Sequence, residues 1–308
     1  MAEHSRVDEK TGTRTVGHEW DGIEELDTPM PRWWLYTFYA TILFSIVYTI
    51  LYPAWPMLTR ATAGTLGWTS QGELRKEVSV EQARHAPILK ALAETPIEQI
   101  PANPALMTAA QEGGRAAFKV NCSQCHGSGA AGGKGYPNLN DDDWLWGGDL
   151  RTIQQTITHG IRFHGDDATR QSQMPAFGRD QLLTPAQIQD VVSFVRVASR
   201  QEAVSASARR GAKLFQDNCS VCHGANAKGG RTVGAPNLTD PIWLYGGDRA
   251  TLTETVTNAR QGIMPAWTRQ LDPVTIKMLA VYVHSLGGGE KSPEAVAAAG
   301  AERNVQPQ

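Results

Sequence analysis

Two pentapeptides carry the chemistry of this chain: Cys122-Ser123-Gln124-Cys125-His126 and Cys219-Ser220-Val221-Cys222-His223. Each is a C-x-x-C-H sequence, the attachment signature of c-type haem. The spacing has a chemical reason. Two thiols one short turn apart add to the two vinyl groups of a single porphyrin, and the adjacent histidine turns its imidazole onto the iron. The iron then takes a sixth ligand, and methionine is common in that position in electron carriers. One Met-Pro step follows each copy, Met174-Pro175 and Met264-Pro265. The sequence therefore supplies thioether cysteines Cys122, Cys125, Cys219 and Cys222, with axial ligands His126, Met174, His223 and Met264, for two covalently bound haems c. A zinc knuckle or a dithiol redox pair also uses C-x-x-C. Neither accounts for the histidine that ends both motifs or for the two Met-Pro steps. The chain has only these four cysteines, so no disulfide framework is expected.

The elements around the motifs repeat. Gly114, Phe118 and Asn121 stand before the first motif at the spacing of Gly211, Phe215 and Asn218 before the second. Pro137-Asn138-Leu139 recurs as Pro236-Asn237-Leu238, and Trp144-Leu145-Trp146-Gly147-Gly148-Asp149 as Trp243-Leu244-Tyr245-Gly246-Gly247-Asp248. Residues 107–200 and 206–289 are thus two copies of one unit. Each copy reads as three helices. The first ends at the haem motif, and the second covers Leu150 to His159 or Ala250 to Arg260. The last follows Thr184-Pro185 or Asp272-Pro273, where Thr or Asp caps and Pro takes the first helical position. Gly114 and Gly211 would let the first helix approach the last closely, with Phe118 and Phe215 beside it. Phe194 and Tyr282 take equivalent places in the last helices. The first copy carries nine extra residues, around Phe163 and His164, between its tryptophan and methionine motifs. No strand pattern appears in either copy.

Residues 1–32 are polar and acidic. The 19 residues from Trp33 to Leu51 hold no charge. At ~1.5 Å per residue they span roughly 28 Å, close to the hydrocarbon core of a bilayer. Trp33, Trp34, Tyr52 and Trp55 sit at the ends as an aromatic belt would, which places a transmembrane helix at 33–55. A cleaved signal peptide would use Ala61-Thr62-Ala63 as its cleavage site, but the long acidic leader and the length of the apolar run favour a retained anchor. Arg6, Lys10, Arg14 and Arg32 precede the span, and only Arg60 lies in the first twenty residues after it. This asymmetry puts the N-terminus in the cytoplasm, and the haem motifs fall outside. Residues 56–106 read as a solvated connector, helical from Glu73 to Ala93. The tail 290–308 is expected to be disordered. With a net charge of −2, no nucleic-acid footprint is present.

The repeat resembles a pair of class I cytochrome c domains. That resemblance implies that Pro137 and Pro236 present their carbonyls to the Nδ1–H of His126 and His223. The stretch Trp20 to Trp34, followed at once by the span, resembles the start of the dihaem FixP/CcoP subunit of cbb3-type cytochrome c oxidases. The fold class implied is all-α, one N-terminal transmembrane helix followed by two tandem class I cytochrome c domains. The function implied is transfer of electrons from a soluble or membrane-anchored donor cytochrome c towards the haem–copper, oxygen-reducing subunit. The partners are then the catalytic and monohaem subunits, the donor and the lipid bilayer. The chain itself would not reduce oxygen, since His and Met fill both axial positions. A dihaem peroxidase would instead need a displaceable ligand, for which His159 and His164 are the spare histidines of the first copy. A freestanding shuttle or dehydrogenase subunit is disfavoured by the Trp20–Trp34 stretch. Sequence order makes the simple pairing His126 with Met174 and His223 with Met264; exchange between the copies is the alternative.

Overall fold

The computed structural model describes residues 5–292, so most of the tail expected to be disordered lies outside the described residues. The chain divides into two compact units, residues 1–84 and 85–308.

In the first unit the polar leader forms a hairpin, an element not anticipated from its composition. Strand β1 (Thr15–Trp20) pairs antiparallel with β2 (Ile23–Leu26) through the two residues Asp21 and Gly22. Both have positive φ, 49° and 86°, as a type I′ turn requires. Both faces of this ribbon are largely exposed, so no buried alternation marked it in the sequence. Helix α1 (Arg32–Leu51) follows, 20 residues long, and none of its residues is buried. Its length of about 30 Å suits a bilayer core, and an apolar helix exposed all round is a membrane span by composition. It stops four residues earlier than expected, before Pro53. Trp34 stacks on Phe38, and Tyr48 on Tyr52, near its two ends.

Helix α2 (Ser70–Glu94) agrees with the helical stretch expected in the connector. The end of that connector is not a solvated spacer, however. Leu92 and Ile100 are fully buried and Ile97 nearly so. A 3-10 turn, Ile97–Ala102, carries the chain into α3 (Pro104–Asn121), capped by the Asn103 side chain. The prolines at 96, 101 and 104 that suggested a linker set these turns, and the apolar residues between them decide burial.

The helices of the two repeats fall close to where the sequence puts them: α3, then α5 (Leu150–His159) and α6 (Pro185–Ala198), followed by α7 (Ala206–Asn218), α9 (Arg249–Asn258) and α10 (Pro273–His284). The single turns α4 (Ser123–His126) and α8 (Ser220–His223) hold the motifs. Asp149 and Asp248 cap α5 and α9, which explains the acid that ends each tryptophan motif. Thr184 forms a reciprocal capping box with Gln187, and Asp272 caps α10.

Their packing departs from sequence order. The repeats do not each enclose a core. One core joins Leu106, Ala110 and Phe118 of α3 and Leu150, Ile153 and Ile157 of α5 to Ile276, Leu279, Ala280 and Val283 of α10. The other joins Phe215 of α7 and Leu252 and Val256 of α9 to Ile188, Val191, Val192 and Val195 of α6. The close glycine approaches occur as expected, but onto the last helix of the other copy. A Cβ on Gly114 would sit 2.2 Å from the Met278 carbonyl oxygen, and one on Gly211 1.9 Å from that of Asp190. Phe118 meets Tyr282 at 5.5 Å between ring centroids, and Phe215 meets Phe194 at 4.9 Å. The short link between Ala198 and Ala206 favours this, because consecutive helices tend to pack as neighbours.

Side-chain chemistry specifies the exchange further. Asp190 of α6 is 8% exposed and is held by Arg210 at 2.7 and 2.8 Å and by Ser207 at 2.6 Å, both on α7. The positions on α3 that correspond to Ser207 and Arg210 are Ala110 and Gly113. Met278 of α10 fills the space beside Gly113. Packing α6 on α3 instead would leave the Asp190 carboxylate without these partners, which disfavours that arrangement.

Candidate haem sites

Each motif begins where its first helix ends. Cys122 and Cys219 are the C-caps of α3 and α7, and the next turn raises His126 and His223. Gly127 and Gly224 then turn the chain away with φ of 78° and 75°, a conformation that glycine alone adopts without strain. The imidazoles are fixed from behind. His126 Nδ1 lies 3.1 Å from the Pro137 carbonyl oxygen, and His223 Nδ1 lies 3.1 Å from that of Pro236. A protonated Nδ1 donating to that carbonyl leaves the Nε2 lone pair free for a metal. Burial lowers the pKa of both histidines, against the opposing effect of the proline carbonyls, and so favours the neutral imidazole.

The thiols complete a donor set suited to c-type haem. Burial, and then the neighbouring cysteine, pushes Cys122 and Cys219 up to about 11. A dithiol redox pair depends on a lowered pKa, the opposite of the shift at Cys122 and Cys219. Cys125 is exposed and Cys222 half-buried.

The methionines pack crosswise on the two cores. Met264 packs on the core that holds Phe118, Cys122, Leu139 and Trp144. Met174 packs on the core of Phe215, Cys219, Leu238 and Trp243. This packing runs against the simple pairing expected from sequence order: each methionine lies in the core of the other copy's haem motif. Backbone contacts fix the crossing. Ile161 and Met264 exchange two hydrogen bonds, at 2.9 and 3.0 Å, and Trp267 N donates to Ile157 O. In the other core Gly178 N and Arg179 N donate to Thr257 O.

Sequence reading missed the residues at the junction of the two cores. Arg170 lies over the Trp146 ring at 5.2 Å, and Arg260 over the Tyr245 ring at 4.7 Å. Trp146 and Tyr245 occupy the same place in the repeated tryptophan motif, and each abuts a glycine loop of the opposite copy, at Gly234 and Gly135. The repeated aromatic was visible in the sequence; the arginines, at unequal distances from it, were not. Beside them a cavity of about 530 Å³ is lined by residues that include Asp143, Trp144, Arg231, Pro236 and Asp240. Burial raises Asp143 to about 6, reinforced by Asp240, Asp141 and Asp142. His159 Nδ1 pairs with Asp166 at 3.0 Å, and His164 is exposed.

Two helical cores, each with a C-x-x-C-H turn, a proline-held histidine and a methionine, behind an apolar anchor helix, define a membrane-anchored dihaem c-type cytochrome. Residues 12–59 match the family described as the N-terminal domain of cytochrome oxidase-cbb3, FixP, and residues 109–195 and 206–283 match cytochrome c oxidase, cbb3-type, subunit III. The chain is 53% identical over 293 residues to the cbb3-type cytochrome c oxidase subunit FixP of Bradyrhizobium sp. (strain ORS 278), covering 94% of this chain and 100% of that one. It is 54% identical over 276 residues to subunit CcoP of Cereibacter sphaeroides, covering 90% and 95%. With FixP of Rhizobium meliloti the identity is 53% over 288 residues, covering 93% and 99%. The chain belongs to the FixP/CcoP family, the electron-transferring c-type cytochrome subunits of cbb3-type cytochrome c oxidases.

Proposed function

We propose that this chain accepts electrons one at a time from a soluble or anchored donor cytochrome c and passes them, by way of a monohaem subunit, to the haem–copper subunit that reduces oxygen. The observation that carries this reading is the saturated donor set: each core brings one neutral histidine and one methionine to one cysteine pair. Each haem, when bound, supplies one-electron chemistry at iron. The protein's part is to attach and tune it. Cys122 and Cys125 would hold the first haem by thioether bonds, with His126 and Met264 offered to its iron. Cys219 and Cys222 would hold the second, with His223 and Met174. The Pro137 and Pro236 carbonyls orient the imidazoles and increase their basicity. Methionine ligation raises the potential relative to a second nitrogen ligand. With a histidine and a methionine of the chain for each iron, oxygen reduction would be left to the catalytic subunit.

The anchor lies in the bacterial cytoplasmic membrane, N-terminus in the cytoplasm and haem cores in the periplasm, a reading that the Arg6, Lys10, Arg14 and Arg32 asymmetry supports. The hairpin and anchor serve assembly, since residues 1–55 hold no cysteine. An exported chain beginning at Ala61 is expected to be soluble and to carry both haems, yet to be lost from the oxidase when the complex is purified in detergent. Normal co-purification of that shortened chain would remove the docking role from the Trp20–Trp34 stretch.

A further inference from the structure

Three irregular segments meet where the repeats exchange: residues 160–162, the stretch after Arg170, and the approach to Met264. Gly160 accepts from Arg170 N, Arg162 N donates to Arg170 O, and Ile161 pairs with Met264. Arg162 stands at the centre of this crossing. Its backbone has φ of 54°, a left-handed conformation that a long side chain rarely adopts. Its guanidinium is half-buried and, among the described residues, pairs with no carboxylate. It donates instead to two backbone carbonyls, Gly262 O from Nε at 2.7 Å and Ser172 O from Nη1 at 3.3 Å.

Those two carbonyls occupy the same place in the two repeats. Gly262 is two residues before Met264, and Ser172 is two residues before Met174. One side chain therefore ties both methionine segments together. The Ser172 hydroxyl adds a further link, donating to the Val233 carbonyl in the loop after the second haem motif. Charged and titratable neighbours are few: Tyr245 lies nearby, and burial, the larger effect, disfavours the cation. A guanidinium placed at this cost, with no carboxylate partner among the described residues, fixes backbone in two directions at once, which a lysine's single ammonium does less well.

We propose that Arg162 is a positioning residue shared by both haem sites: it holds the segments that present Met174 and Met264, and keeps a positive charge between them. This rests on the reading of those methionines as axial ligands. Two effects follow, with the same sign. Slackening either segment weakens methionine ligation, which lowers that haem's potential. Removing a cation favours the oxidised iron, which carries one more positive charge, and lowers the potential again.

The test uses the full chain in its oxidase complex, with Arg162→Gln and Arg162→Lys. Potentiometric titration resolves the two haems, and the methionine-to-iron charge-transfer band of the oxidised protein reports ligation. Arg162→Gln is expected to lower the midpoint potential of both haems and weaken the band of both. Arg162→Lys keeps the charge and is expected to weaken both bands with a smaller fall in potential. Should Arg162→Gln fail to take up haem, the lysine variant decides alone. Unchanged bands and potentials, or a change confined to one haem, would overturn the proposal while leaving methionine ligation intact. Absence of the band from the unsubstituted protein would overturn the ligation reading, and the proposal with it.

Discussion

A chain ending at Arg200 is expected not to form a stable His–Met haem site, although it keeps the whole first haem motif and its own Met174. The first core borrows its last helix, α10, from the second copy. Ile276, Leu279, Val281 and Val283 are each at most 5% exposed there. At about 1.5–3 kcal/mol for each such side chain, their loss removes on the order of 10 kcal/mol. That is comparable to the entire stability of a domain, about 5–15 kcal/mol. Helix α6 cannot substitute at low cost. On α3 its Asp190 would face Ala110 and Gly113 instead of the Ser207 and Arg210 that hold it now. Protease resistance, cooperative unfolding and the methionine charge-transfer band of the exported fragment measure this. A compact one-haem domain with that band would mean that the repeats are self-contained.

Replacing both Cys219 and Cys222 by serine should reduce covalent haem from two to one per chain, counted as the pyridine haemochrome. No other cysteine is available to capture the second porphyrin, since the remaining two belong to the first motif. The retained haem should keep its methionine band, because Met264 is presented by packing on the first core. The second core should loosen: Phe215, Val192 and Leu252 share it with Cys219 and would lose the large apolar partner that a haem provides. Two covalent haems in this variant would contradict the assignment of one porphyrin to each cysteine pair.

Much of this site was legible from residue types. Cysteine and histidine spacing identified the chemistry, and the repeated Gly–Phe–Asn, Pro–Asn–Leu and Trp–Gly–Gly–Asp positions located the helices around it. The caps Thr184 and Asp272 show why those boundaries were readable: a helix start is a local hydrogen-bonding event. Which last helix serves which haem was not readable in the same way. Both α6 and α10 offer an apolar face at the right spacing, and both have an aromatic residue to set against Phe118 or Phe215. The choice rests on a few non-equivalent pairs, Asp190 with Arg210 and Met278 with Gly113, and on the short link between α6 and α7. The burial of Leu92, Ile97 and Ile100 was hidden by the prolines around them. The hairpin at Asp21-Gly22 was hidden because neither of its faces is buried, although the turn dipeptide itself is a hairpin signal.

The most direct measurement of the crossed construction combines these variants. In the Cys219→Ser, Cys222→Ser background only the first haem remains, so its axial ligand can be identified without ambiguity. Met264→Ala in that background is expected to abolish the methionine-to-iron charge-transfer band and lower the haem potential, while Met174→Ala leaves both in place. Loss of the band with Met174→Ala and its survival in Met264→Ala would show that each repeat closes on its own haem.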